Sequence, residues 1–417
     1  MRTRSRILWT TTKACWQALD LNPGQQQVSR GETDYDVVTL MMLHKTLRMI
    51  HMKIAIAHDY LIQMGGAERV VEVFHHMYPD APIFTTVFNG SRLTDNLKDA
   101  DIRTSWLQKI PGVKTNFKGM LPLYPMAIKD LDFSGYDIVL SSSSAFMKSI
   151  QVPSHTFHLC YCHTPMRFAW DYDTYMERQS NSGLFKRLLK VYMQQLKNWD
   201  QRTSKNVNQF VANSSVVKKR IQNYYHRDSD VIFPPINTAR FTSSSSIGDY
   251  YLIVSRLVSY KRIDLAVEAF SRNGLKLYIV GDGPDRKRLE SMAKSNVSFL
   301  GRLEDDQVTG LMAQCRALIF PGEEDFGITP LEANAAGRPV IAYQAGGALD
   351  TIIPYVNGVF FQHQEVEDLL AAIHEVESYS WDIGQIISHA KKFDEESFMI
   401  HFKQYVEQAY VNFLKGG

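Results

Sequence analysis

The chain has 417 residues, 45% hydrophobic and 22% charged, which excludes a disordered protein and suits two domains of about 150–200 residues. Lysine and arginine total 46 against 44 aspartate and glutamate, a net charge of +2, so bulk charge argues against nucleic acid as a partner. No apolar run reaches about 18 residues, so no membrane-spanning helix is expected.

Residues 1–51 differ from the rest. They hold seven basic and four acidic residues, so the mild basicity of the chain sits there. They lack the apolar core and small-residue cleavage site of a signal peptide. Residues 40–50 suit a short helix. The stretch reads as an N-terminal extension outside the folded core, with Met52 as the functional start. The four cysteines (Cys15, Cys160, Cys162, Cys315) make neither a disulfide framework nor a paired CxxC metal site, which fits a reducing, cytoplasmic compartment.

From Met52 short apolar runs alternate with helical patterns. The runs at 53–57, 82–88, 137–140, 157–162, 209–212 and 230–233 read as strands, and 67–77 as a helix. The Ser-rich stretch 243–248 is linker-like. A second series of strands follows at 251–254, 275–280, 317–320, 339–343 and 358–361. Such alternation predicts an α/β protein with parallel sheets covered on both faces. The expected architecture is two Rossmann-like domains with an inter-domain cleft and a hinge near 241–249. The first spans 52–242 and the second 243–393. The tail 394–417 carries Phe398, Phe402, Tyr405, Val406, Ala409 and Phe413 at helical spacing, and its apolar stripe is expected to return to the first domain. Ligands on such sheets bind beyond the carboxyl ends of the strands.

The strongest chemical signal is Glu324-Asp325-Phe326-Gly327-Ile328-Thr329-Pro330-Leu331-Glu332, between a strand and a helix. Thr329 is the expected N-cap and Pro330 the first helical residue, so Glu332 completes a capping-box spacing. Beyond capping, the amides at Gly327–Thr329 and the helix dipole suit a phosphate. A carboxylate one turn in, Glu332, suits a ribose diol, and Glu324 would face sugar hydroxyls. Arg256 and Lys261, after the first strand of the second domain, would supply two cations to the same cleft and neutralise a diphosphate without a metal. Arg262 reads as a solvated neighbour. Gly281-Asp282-Gly283-Pro284 allows a tight turn near the nucleotide, although such a turn is common. Gly65-Gly66-Ala67-Glu68-Arg69 offers bare backbone for close approach and is not GxGxxG, which argues against a nicotinamide-dependent dehydrogenase. His163 follows the strand 157–162 and faces the cleft, while Cys160 and Cys162 read as packed strand residues.

Taken together, Glu324 and Glu332 with seven residues between them, Arg256 with Lys261, the Gly281–Gly283 turn, Gly65-Gly66 and His163 resemble family 4 of the retaining glycosyltransferases, over about residues 52–414. HDYLIQMGGAER, YCHTPMRFAWD and EEDFGITPLEA look most like its bacterial O-antigen and polysaccharide mannosyltransferases. The resemblance implies a GT-B fold, a metal-independent site and no cofactor beyond the donor, a GDP- or UDP-sugar. It implies that Glu332 holds the ribose, Glu324 the donor sugar, and Arg256 and Lys261 the diphosphate. Gly65, Gly66, Gly281, Gly283, Arg302, Phe326, Gly327, Ile328 and Thr329 would line the donor, and His163 would lie near the transferred sugar. A glycan or lipid-linked acceptor is implied, with mannose favoured as the hexose; a UDP-glucose-dependent enzyme acting on a small sugar or sugar phosphate is the alternative. Two rivals are a GT-B relative with epimerase or phosphorylase chemistry and a non-catalytic partner in a polysaccharide assembly complex.

Two basic stretches bear on location. Residues 183–205 carry Lys186, Arg187, Lys190, Lys197, Arg202 and Lys205 against Asp200, with Phe185, Leu188, Leu189, Tyr192, Leu196 and Trp199 as an apolar face. Residues 103–118 carry Trp106, Leu107, Ile110 and Phe117 among four cations. Each reads either as a helix packed on its own domain or as peripheral contact with an anionic membrane, at the inner face of the cell membrane.

Overall fold

The structure is a computed structural model that describes residues 52–171 and 183–416. Residues 1–51, with Cys15 and the helix expected at 40–50, lie outside them.

Among the described residues the apolar runs pair into two sheets. The first contains β1 (Ile54–His58), β2 (Ile83–Thr85), β3 (Ile102–Thr104), β4 (Ile138–Ser143), β5 (Phe157–Cys162), β6 (Gln209–Ala212) and β7 (Asp230–Val231), in the order β3-β2-β1-β4-β5-β6-β7. The second contains β8 (Tyr250–Val254), β9 (Lys276–Val280), β10 (Val297–Gly301), β11 (Leu318–Phe320), β12 (Val340–Tyr343) and β13 (Gly358–Phe361), in the order β10-β9-β8-β11-β12-β13. Every pairing is parallel. Central strands such as β1, β4 and β5 are buried along their whole length, because helices cover both faces.

The chain enters each sheet in the middle, builds one flank, then returns to build the other. The strand order therefore reverses between β1 and β4, and again between β8 and β11. Loops leaving these neighbours diverge and open a crevice at the carboxyl ends. Two strands absent from the sequence reading, β3 and β10, are both sheet edges. β3 reads Ile-Arg-Thr and stays half-exposed, and β10 is only partly covered, so neither leaves a continuous apolar run.

The helices that matter below are α1 (Gly66–Met77), α2 (Gly183–Thr203), α3 (Ser215–Tyr225), α4 (Ile328–Ala335) and α5 (Glu395–Gly416). On α5, Phe398, Phe402, Val406 and Tyr410 are buried at four-residue intervals. The Phe402 ring lies 4.8 Å from Phe74 of α1 and 5.7 Å from Tyr161 of β5, and Phe413 lies 5.3 Å from Phe157. The last helix thus completes the core of the first sheet. The two crossings between the sheets run side by side: Ile236 N–H donates to the Phe393 carbonyl (2.9 Å), and Glu395 N–H to that of Ile236 (3.1 Å). The stretch 243–248 comes after this paired crossing. There the buried Arg338 guanidinium donates to the Ser244 carbonyl and, at 2.8 Å, to that of Ala313.

The basic helix α2 is fastened from inside. Its Met193, Leu196 and Asp200 are buried, and Leu189, Tyr192 and Trp199 pack on the core of the first sheet. Lys148 and Asp200 are fully buried with Nζ 2.9 Å from the carboxylate. That carboxylate also accepts from Trp170 Nε1 and the Tyr225 hydroxyl, each at 2.7 Å. Leu188, expected on the packed face, is 62% exposed, as is Val191 at 54%. In 103–118, Leu107 is buried and Trp106, Ile110 and Phe117 pack on the same core, so the apolar side chains there face inward rather than toward a membrane. Replacing Lys148 with Met strands a buried carboxylate and should cost about 3–5 kcal/mol of stability in urea unfolding. A loss within about 0.5 kcal/mol, the size usual at a surface position, would show the pair to be dispensable.

Candidate functional site

The second sheet presents its crevice between β8 and β11. The loop after β8 carries Ser255, Arg256 and Lys261; the loop after β11 carries Glu324 and leads into α4. Ser255, Lys261, Glu324 and Thr329 line one small cavity of about 10 Å³ at the carboxyl ends of these strands. Lys261 Nζ forms an ion pair with Glu324, both largely shielded from solvent. Arg256 is exposed, with Nη2 3.5 Å from the Tyr260 hydroxyl, and its charge is felt by Tyr60 on the first sheet's side of the crevice.

Helix α4 begins two residues earlier than its sequence suggests. Its N-cap is Gly327, at φ +85°, and Ile328 is the first helical residue, so Thr329 and Pro330 sit inside the first turn. A Cβ at Gly327 would fall 2.6 Å from the Phe320 ring, so the turn is confined to glycine and the cap shifts there. The capping-box reading of Thr329 and Glu332 is therefore corrected. Glu332 Oε1 instead accepts from Arg69 Nη1 of α1 at 3.0 Å. Burial raises the Glu332 pKa, opposed by the charges of Arg69 and Arg240.

The glycines of the 281–283 turn act on protein rather than face an open pocket. Gly281 has φ +126°, and a Cβ there would lie 1.9 Å from the Ser255 carbonyl; at Gly283 it would lie 2.2 Å from that of Leu257. Both glycines hold the Arg256 loop close. The Phe326 side chain is buried and stacks on Phe233 at 5.7 Å, within an apolar pad that includes Ile236, Leu331 and Ala335. Only its backbone is left to serve a ligand. Arg302 is exposed beyond the edge strand β10, two strands from β8. It stands apart from the cavity residues.

The first sheet presents Gly65-Gly66 after β1 and His163 after β5. A Cβ on Gly66 would meet Ile328 Cδ1 at 2.8 Å, so this glycine is one of the places where the two lobes touch. His163 is 8% exposed, with Nε2 2.7 Å from Ser142 Oγ. Burial, reinforced by His58, pushes its pKa down to about 3, so the ring is neutral near pH 7. It is built to give or take a hydrogen bond, not to carry charge.

Several residues that organise the site carried no weight in the sequence reading. The Asp59 carboxylate accepts from the amides of Ser144 (2.6 Å), Ala145 (2.9 Å), Phe146 (2.7 Å) and Met147 (2.7 Å), tying the loop after β4 to the loop after β1. Glu68 accepts from Gly65 N–H at 3.0 Å and so shapes the diglycine turn. Its position three residues after Gly65 was a readable capping signal. Across the crevice, Arg167 and Arg220 both reach Asp325, Arg167 at 3.5 Å. The Arg69–Glu332 pair joins residues 263 positions apart, which no local pattern reveals.

Comparison with known proteins is consistent across the chain. Residues 64–240 match the family described as Glycosyltransferase Family 4, and residues 236–395 match Glycosyl transferases group 1. The alpha-1,3/1,6-mannosyltransferase ALG2 of Dictyostelium discoideum is 26% identical over 298 residues, covering 58% of this chain and 68% of that protein. The O-antigen chain mannosyltransferase C of Escherichia coli is 29% identical over 176 residues, covering 40% of this chain and 47% of that one. The chain spans half or less of the length of several relatives it matches. Among solved structures, Anabaena Alr3699/HepE in complex with UDP superposes with a TM-score of 0.65 at 18% identity, over 86% of this chain and 100% of that one. That likeness establishes the shared two-sheet GT-B architecture.

Proposed function

The chain belongs to glycosyltransferase family 4 and is a transferase, and we propose that it moves a hexose, with retention, from a nucleoside-diphosphate sugar to a glycan or lipid-linked acceptor. Mannose from GDP-mannose is the favoured donor, supported by the mannosyltransferase names of the ALG2 and O-antigen relatives. The alternative, a UDP-glucose donor, draws support from the UDP-glucose complex of the Anabaena protein. The observation that carries the reading is the convergence of Ser255, Lys261, Glu324 and Thr329 where the order of the second sheet reverses.

The chemistry follows from charge placement. As the bond between sugar and diphosphate breaks, positive charge grows on the sugar ring and negative charge on the departing phosphates. Lys261, Arg256 and the amides at the start of α4 meet that negative charge without a divalent ion. Lys261 now rests on Glu324, so donor binding exchanges partners: the ammonium turns to phosphate and the carboxylate to sugar hydroxyls. Neutral His163 suits a hydroxyl of the transferred sugar. The acceptor hydroxyl attacks on the face the diphosphate leaves, and the phosphate takes its proton. Closure of the two lobes keeps water from the ring.

For the acceptor side, exposed Leu188 and Val191 beside Arg187 on α2 support peripheral docking on an anionic bilayer. Among the described residues no helix is long and apolar enough to cross a membrane. Two outcomes are expected. Arg256→Ala and Lys261→Ala should each lower turnover by about 10²–10³ with the donor that most raises thermal stability among GDP-, UDP- and ADP-sugars, and unchanged turnover would refute the diphosphate assignment. In co-sedimentation, vesicles with anionic lipid should bring down the protein, and a Leu188→Glu, Val191→Glu double variant should stay in solution; wild-type protein that stays in solution would remove membrane docking, and a double variant that pellets equally would remove this face of α2 as its site.

A further inference from the structure

The residue that faces Glu332 comes from the opposite lobe. Arg69 lies in the first turns of α1, directly after Gly65-Gly66, and its Nη1 is 3.0 Å from Glu332 Oε1. Its second terminal nitrogen is 4.0 Å from Asp305, which also pairs with Arg240. The charged groups acting on Glu332 are therefore Arg69 from α1, Arg240 from the segment after the lobe crossing, and Asp305 at the start of the helix Asp305–Gln314. Arg69 is also felt by Glu395 at the start of α5. Arg240 is the closer partner of Asp305, and Arg69 makes its short contact with Glu332.

We propose that Arg69 is a positioning residue for the donor: it stays on Oε1 of Glu332, orients that carboxylate, and leaves Oε2 to accept the ribose hydroxyls. This rests on the reading of Glu332 as the ribose anchor. An ionised carboxylate has two oxygens and about four acceptor sites, so one guanidinium contact does not exhaust it. A protonated carboxyl would turn one oxygen into a donor and lose the paired acceptance that a vicinal diol requires. Glu332 is only 14% exposed and burial favours its neutral form, so its charge depends on a neighbouring cation. The cation is supplied by the lobe that does not carry the rest of the proposed nucleotide site. Donor affinity is thereby coupled to the position of α1 and its diglycine turn.

The sign of the pH effect follows. Arg69 favours the charged form of Glu332, so removing it lets burial raise the pKa, and the binding-competent form is lost at higher pH than in the wild type. The test is calorimetric titration with GDP and with UDP as probes, from about pH 5.5 to about pH 8, on the full chain carrying Arg69→Gln, Arg69→Lys or Glu332→Gln. For the tighter probe, Arg69→Gln should move the acidic fall-off in affinity to higher pH, and its deficit should shrink toward pH 8. Arg69→Lys should restore most of the wild-type profile. An Arg69→Gln profile parallel to wild type, with the same loss at every pH, would overturn the proposal, because a packing role alone has no pH signature. If Glu332→Gln binds both probes as tightly as wild type, the ribose reading itself fails and the role of Arg69 falls with it. If Glu332→Gln binds weakly while Arg69→Gln matches wild type, only the role of Arg69 is refuted.

Discussion

Carboxylates on one lobe of this protein are answered by cations, one from a neighbouring loop of the same lobe and the others from the opposite lobe. Glu324 faces Lys261, Glu332 faces Arg69, and Asp325 faces Arg167 and Arg220. Glu324 and Asp325 sit in the loop after β11, where the strand order reverses, and Glu332 follows within α4. A shielded charge there is costly unless an opposite charge is near. The crevice is therefore an arrangement of paired charges that a doubly charged ligand can reshuffle. In the proposed function, phosphates would compete for the cations and sugar hydroxyls for the carboxylates.

The rest of the fold keeps those partners in register. Two parallel sheets fix the ends of β8 and β11 as neighbours. Gly281 and Gly283 let the Arg256 loop lie against the turn after β9, and Gly327 turns the chain sharply over Phe320 into α4. On the other lobe Asp59 gathers four backbone amides, and Lys148 with Asp200 locks α2 to the sheet. The α5 stripe closes the first core, and the Phe233–Phe326 pad holds the lobes together beside their paired crossings. These buried elements determine where the exposed Arg256 and the largely shielded Lys261 can reach.

The parallel sheets were legible because strands covered on both faces read as plain apolar runs bounded by turns. β5, β6 and β13 fall where those runs lie, and the others differ mostly by a residue or two. The edge strands β3 and β10 escaped because partial exposure breaks the run. Within the site, position at a strand end was enough to single out Lys261, Glu324 and Thr329. What stayed hidden was pairing over long separations. Arg69 meets Glu332, and Arg220 meets Asp325, only once the lobes face one another. Local rules also misplaced the start of α4. Thr-Pro is a good helix opening by composition, yet the close approach of Phe320 put the turn at Gly327 instead. The apolar residues of 103–118 looked amphipathic for the same reason: a sequence shows a stripe and not what lies beneath it.

At the centre of the account is a diphosphate held by fixed side chains and backbone amides, without a divalent ion. Calorimetric titration of the protein with GDP and UDP in excess EDTA, repeated with magnesium or manganese, addresses that claim directly. The account predicts that the tighter nucleotide binds with the same Kd under both conditions. Binding that disappears in chelator and returns with the metal would contradict it.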